Sequence, residues 1–113
     1  MRLDKWLWFA RLAKSRSLAA RLCAAGAVTV AGAATAKPNH PVRIGMVVSL
    51  PQGRLRRTVR VVALGERRGP AAEAQRLYAE AAPPQQIGAG EPDWSPLLDA
   101  PDAPPNPGPG YAA

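Results

Sequence analysis

One cysteine and one histidine in 113 residues leave little material for redox or metal chemistry. Cys23 cannot close an internal disulfide, and Cys23 with His40 falls short of the ligand set of a structural zinc, so neither metal nor cofactor is expected. Acids are scarce as well: Asp4 is the only one before Glu66, which excludes a carboxylate pair for acid–base work in the first half of the chain. There is no Gly-rich phosphate loop with its Lys and Ser or Thr, and no Ser or Cys nucleophile with a histidine in a recognisable frame. The sequence therefore offers no catalytic residues, and the reading is of a non-enzyme. Long apolar runs are also missing. The longest uncharged stretch, Leu22 to Ala36, is interrupted by Gly26 and Gly32 and falls short of the roughly 20 residues of a membrane span. The apolar stretch Trp6 to Ala10 lies between Lys5 and Arg11 with no small-residue cleavage site after it, so the expected compartment is the cytoplasm.

What is abundant is positive charge, and it is unevenly placed. Residues 1 to 82 hold all 15 Lys and Arg and four of the eight acids, a net of +11, while residues 83 to 113 hold the other four acids and no basic residue. A folded unit this basic seeks polyphosphate or an anionic surface. After Ala82 the composition changes to nine Pro and four Gly in 31 residues, with too few bulky apolar side chains to build a core. Residues 83–113 are accordingly expected to be a disordered acidic tail, in which Trp94-Ser-Pro-Leu97-Leu98 could be a docking motif.

Upstream, Leu3, Trp6, Leu7, Ala10 and Ala13 recur at spacings of three and four, which predicts an amphipathic helix over Leu3 to Ala13. Ser15 is a natural N-cap for a second helix, Arg16 to Ala25, ended by Gly26. The period then becomes two. Strands are expected at Val28 to Val30, Val47 to Leu50 and Thr58 to Leu64, with Pro51 to Arg56 as the connection between the last two, and a final helix over Pro70 to Ala82. The predicted fold is α+β: two N-terminal helices packed on a small antiparallel sheet, then a C-terminal helix and the tail. The domain boundaries are 1–65, 66–82 and 83–113.

On the first helix Arg2, Lys5, Trp8 and Arg11 fan across the side opposite the apolar stripe. Lys14, Arg16 and Arg21 cluster at the corner and along the second helix, where Ser15 and Ser17 beside the helix start make a seat for a phosphate. Solvated helix faces usually mix both signs, whereas the only acid here is Asp4. Arg54, Arg56, Arg57 and Arg60, with Arg67 and Arg68 beyond them, form a second basic group, either a further phosphate patch or a device keeping an edge strand soluble. His40 lies in a Pro-bounded loop and Cys23 on an Ala- and Leu-rich helix, where a small buried hydrophobe is the simpler reading.

These residues resemble a known family. Arg2-Leu-Asp-Lys-Trp-Leu7, Lys14-Ser-Arg-Ser-Leu-Ala19, Gly26-Ala-Val-Thr-Val-Ala-Gly32, Lys37-Pro38 and Val42-Arg-Ile-Gly-Met-Val-Val48 look like the RNA-binding domain named after ribosomal small-subunit protein S-four. Together with Arg67-Arg-Gly-Pro-Ala-Ala-Glu-Ala74 and Leu77-Tyr78, they are similar to the heat shock protein 15 type of that family, over residues 2 to about 82. The resemblance implies an RNA surface on the two helices and the hairpin, made by Arg2, Leu3, Asp4, Lys5, Trp8, Arg11, Lys14, Ser15, Arg16, Arg21, Lys37, Asn39 and Arg43. Asp4 is expected to orient a neighbouring Arg rather than to touch phosphate. The implied partner is ribosomal RNA of the large subunit, with a nascent chain on peptidyl-transfer RNA, bound by a monomer and without a membrane. Two departures fall in the hairpin: Ala31 stands before the turn glycine where the family usually has Asn, and Met46 stands where an acid is usual. A fragment of an RNA-modifying enzyme, of the pseudouridine synthase or methyltransferase class, is the competing reading, and a basic membrane-surface protein presenting Trp6, Trp8 and Phe9 is a third.

Overall fold

Helical periodicity gives way to alternation at Gly26, and the molecule is layered accordingly. The computed structural model describes residues 1–30, 37–87, 91–92 and 94–98. Helices α1 (Leu3–Phe9) and α2 (Arg16–Ala24) pack against a four-stranded antiparallel sheet of β1 (Thr29–Val30), β2 (Val47–Gln52), β3 (Leu55–Val61) and β4 (Tyr78–Gln86), in the spatial order of the sequence. A single turn, α3 (Ala71–Ala74), leads into β4, and another, α4 (Ser95–Leu98), lies against α2. The core lies between the layers: Leu3, Trp6 and Leu7 from α1, Leu18, Ala19 and Leu22 from α2, and Val48, Leu50, Val59 and Val61 from the sheet. Trp6 is fully buried and its indole N–H donates to the Ala63 carbonyl at 2.9 Å, so the largest core side chain has its one polar atom satisfied.

α1 stops at Phe9, four residues before the expected end. Arg11 turns into the left-handed region at φ 58°, its N–H bonds the Trp8 carbonyl, and the Leu12 N–H bonds the Leu7 carbonyl. This is the paired closure of a Schellman motif, with Leu12 and Leu7 both buried beneath it. α2 begins as expected, Ser15 Oγ accepting the Leu18 N–H at 3.0 Å, and ends at Gly26 by the same closure.

Three expectations change. The connection between β2 and β3 is only Gly53-Arg54, with Gly53 at φ 58°, as a tight hairpin requires. Pro51 is therefore inside β2, fully buried opposite Arg56. It is tolerated because β1 pairs only with Val48 and Ser49, leaving no ladder bond to be donated toward β1 at that point. The helix expected over Pro70 to Ala82 is one turn of α-helix and one of 3₁₀-helix, Gln75–Leu77, after which the chain extends as β4. Ala-rich helix propensity is outweighed here by the open hydrogen-bonding edge of β3, which β4 covers from Val61↔Tyr78 to Leu55↔Gln86. β4 is itself an edge strand, so Pro83 and Pro84 do not interrupt an inner ladder. Finally, the stretch expected as tail contributes structure: β4 passes through residue 83, and Trp94, Leu97 and Leu98 pack on the core. The Ala31-Gly32 departure lies outside the described residues.

Candidate nucleic-acid interface

Asp4 organises one end of the basic surface. It is buried at 3% exposure, and its carboxylate accepts both Nε and Nη2 of Arg2, at 3.1 and 3.0 Å, while Arg16 Nη2 stands 3.8 Å away. The hydrogen bond to Asp4, and then its charge, raise the Arg2 pKa, so a carboxylate with almost no surface of its own fixes an exposed cation in place. The loop after residue 36 lies alongside: the Leu3 N–H donates to the His40 carbonyl and the Asp4 N–H to the Pro38 carbonyl, with Val42 N–H to Met1 carbonyl completing the seam. These bonds satisfy the first donors of α1 and set exposed Lys37, Asn39 and Arg43 beside Arg2. Met46, standing where an acid is usual, accepts the Arg43 N–H on its sulfur at 3.1 Å. His40 Nδ1 is 2.9 Å from the carbonyl of its chain neighbour Pro41, an exposed local contact.

Two of the expected contact residues are corrected. Leu3 has no exposed surface, because it belongs to the apolar stripe of α1, and its side chain is core. The Ser15 hydroxyl is engaged as the α2 cap, which leaves the helix start beside Lys14 and Arg16 but not that oxygen as a free group. Lys5 is half-buried with Nζ 5.5 Å from the Phe9 ring, and Arg21 is half-buried on α2. Cys23 is buried, and desolvation, with Asp4 adding to it, pushes its thiol up to about 12, so it remains protonated. The aromatic cluster that favoured a membrane surface is largely interior: Trp6 is at 0% and Phe9 at 5% exposure.

The hairpin arginines divide. Arg56 donates to both oxygens of Glu91, to Ser49 Oγ at 2.9 Å and to the Ala27 carbonyl at 2.9 Å, and the Trp94 indole N–H reaches Glu91 Oε2 at 2.5 Å. Arg57 is held by Glu80, Gln52 and Tyr78, its guanidinium lying over the Tyr78 ring, and the Glu80 hydrogen bond is the leading cause of its raised pKa. Both are half-buried struts tied to other parts of the chain. The acids that hold them, Glu80 and Glu91, come from segments read as helix and tail, which is why the sequence grouped these arginines with the exposed Arg54 and Arg60.

A cluster that sequence spacing did not bring together forms where α1 ends. Arg68 Nε donates to the Trp8 carbonyl at 3.1 Å and Nη2 to the Lys14 carbonyl at 3.4 Å, with its guanidinium 5.5 Å from the Trp8 ring. Arg11 Nε donates to the Gly69 carbonyl at 2.7 Å. Sixty residues separate Trp8 from Arg68 in the chain, and no local pattern joins them. Among the described residues no group of three or more His, Cys, Asp or Glu could hold a metal, and no helix is long and apolar enough to cross a membrane.

Residues 1–48 match the S4 domain, so the two helices and the Asp4-centred surface are those of an S4-domain protein. Over 82 residues the chain is 45% identical to heat shock protein 15 of Escherichia coli strain K12, covering 73% of this chain and 61% of that protein. It is 40% identical over 80 residues to the heat shock protein 15 homolog of Haemophilus influenzae, covering 71% of this chain and 60% of that one. A trimeric structure of heat shock protein 15 from Vibrio cholerae superposes with a TM-score of 0.69 at 44% identity, covering 73% of this chain and 82% of that one. The chain belongs to the heat shock protein 15 family, and it spans about three fifths of the length of the curated relatives it matches.

Proposed function

We propose that this chain is a non-enzymatic RNA-binding protein that binds structured ribosomal RNA on the large ribosomal subunit, in the rescue or recycling of stalled subunits that still carry a nascent chain on peptidyl-transfer RNA. The observation that carries the reading is the surface centred on buried Asp4: Arg2 and Arg16 share one carboxylate, and Lys37, Asn39 and Arg43 lie on the loop bonded to the same helix start. A pre-positioned guanidinium pair of this kind suits phosphate oxygens on a folded RNA, which is recognised by shape and backbone rather than by base edges in a deep groove. The family supports the same class of partner, and the net charge of +11 on residues 1 to 82 supports an electrostatic mechanism.

Such binding weakens steeply with salt. Titration of a structured large-subunit RNA between roughly 50 and 200 mM salt should give a strongly negative log–log slope. Arg16→Ala should reduce its magnitude by about 0.7 to 0.9, the change expected on losing one phosphate contact. Arg16→Glu should weaken binding far more than Arg60→Glu, since Arg60 is exposed on β3 with no such neighbours. A salt-independent affinity, or equal effects of the two charge reversals, would refute the helix-centred surface.

A further inference from the structure

We propose that Arg11 and Arg68, set about Trp8 where α1 ends, form a second phosphate-binding site for the RNA backbone, distinct from the surface organised by Asp4. The inference rests on the RNA-binding reading and extends it to a residue outside the matched S4 domain, since Arg68 follows β3.

The two guanidiniums differ from the other clustered arginines in what they touch. Arg2, Arg16, Arg56, Arg57 and Arg67 each meet a carboxylate. Arg11 and Arg68 meet none among the described residues; their protein partners are the backbone carbonyls of Gly69, Trp8 and Lys14. Each guanidinium has five N–H groups in a planar fork, and these few bonds leave most of them without a protein acceptor. The bonds orient the forks and do not neutralise them. The Arg68 guanidinium also lies over the Trp8 ring, 5.5 Å from its centroid, a cation–π contact that helps to hold it in place.

Like charges have been brought together here with no carboxylate between them among the described residues. Burial, and then the charge of Arg11, lower the Arg68 pKa, the reverse of what ion pairing does to Arg2 and Arg57. A phosphodiester between the two would relieve that repulsion with its single negative charge. The backbone adds an independent observation. Arg11 occupies the left-handed position of a helix-ending motif at φ 58°, where glycine is usual, and it is the only non-glycine with positive φ among the described residues. A non-glycine side chain at such a position carries a backbone cost, and positions of this kind cluster at functional sites. The Gly69 carbonyl pins that side chain and connects it to the segment bearing Arg68.

The test follows the Arg Nε–Hε resonances of nitrogen-15-labelled full-length protein during titration with a structured large-subunit RNA fragment. The Arg11 and Arg68 resonances should shift and saturate with binding, whereas that of Arg56, held inside by Glu91, should not move. In parallel, Arg68→Ala and Arg11→Gly should each lower the magnitude of the salt slope by about 0.7 to 0.9. If Arg68→Ala fails to fold, the wild-type resonances decide the matter alone. Binding by the wild type with both resonances unmoved would overturn this site and leave the RNA reading standing. No binding of structured RNA by the wild type would overturn the RNA reading first, and this site with it.

Discussion

α1 and α2 end in the same way and are built for different purposes. In both, the residue after the cap turns left-handed, its N–H bonds three residues back, and the next N–H bonds five back, from Leu12 to Leu7 and from Ala27 to Leu22. At the end of α2 the left-handed residue is Gly26 at φ 81°, which carries no steric cost; at the end of α1 it is Arg11 at φ 58°, which does. Each end is then covered by a segment from the far half of the chain. Over α1 lie Arg68 and Gly69, adding positive charge. Over α2 lie Arg56, bonded to the Ala27 carbonyl, and Glu91 with Trp94, which cancel that charge. One helix end is covered by an arginine paired with a carboxylate, the other by arginines bonded to backbone carbonyls. Folding and binding requirements have thus been assigned to two copies of one backbone motif.

The largest effect is expected where the two ends are alike. Leu7 and Leu22 supply the accepting carbonyls, and both are essentially fully buried. Leu7→Ala or Leu22→Ala should each cost about 2 to 5 kcal/mol, a large part of a small domain's stability, read from denaturant unfolding. A loss confined to one of them would show that the two ends are not equivalent in packing.

Next comes the cover over α2. Truncation after residue 87 removes Glu91, Trp94, Leu97 and Leu98, and leaves the Arg56 guanidinium, 21% exposed, without its carboxylate. A cost of about 1 to 3 kcal/mol is expected, whereas truncation after residue 98 keeps every contact described. Part of that contribution depends on pH. The hydrogen bond from Arg56 is the leading cause that lowers the Glu91 pKa in the folded chain. The folded chain thus releases this proton more readily than the unfolded one, so the stabilisation is full above the ordinary carboxylate pKa of about 4.3 and is lost as pH falls through the lowered value. Glu91→Gln should flatten the fall in melting temperature between pH 6 and 3; an unaltered profile would detach Glu91 from the fold.

The smallest effect separates the two left-handed residues. Gly26→Ala should destabilise by about 1 to 2 kcal/mol, because a Cβ is forced into the left-handed region. Arg11→Gly relieves a similar strain but loses the bond to Gly69 and loosens the unfolded chain, so its net change should stay within about 1 kcal/mol. Equal destabilisation by the two substitutions would mean that Arg11 is retained for stability and not for its charge.

The helical half of the candidate surface could be read in advance because it is written locally. Spacings of three and four place Lys5 and Trp8 off the buried stripe of Leu3 and Leu7, and Ser15 marks the start of α2, whereas Arg2 and Arg11 stand just outside α1 and are placed by its two ends. The same stripe should have kept Leu3 off the contact surface, since a residue that seals the core cannot also meet RNA. The last third was misread for a physical reason. Ala71 to Ala82 favours a helix as an isolated segment, but the open edge of β3 offers it a ladder of backbone bonds that an isolated turn cannot match.

What the sequence determined by itself is the short-range part: charge and its division along the chain, the starts of the two amphipathic helices, and the end of the second at Gly26. These depend on side chains a few positions apart, whose relative placement is set by backbone geometry. Tertiary structure alone decided which arginines are available. Arg56 and Arg57 are consumed by Glu91 and Glu80, while Arg68 is brought to Arg11 and Trp8 with no carboxylate partner among the described residues. Whether a guanidinium is enclosed, as Arg56 is among Glu91, Ser49 and Ala27, or stays on an exposed face beside its carboxylate, as Arg2 does beside Asp4, is set by how distant segments pack.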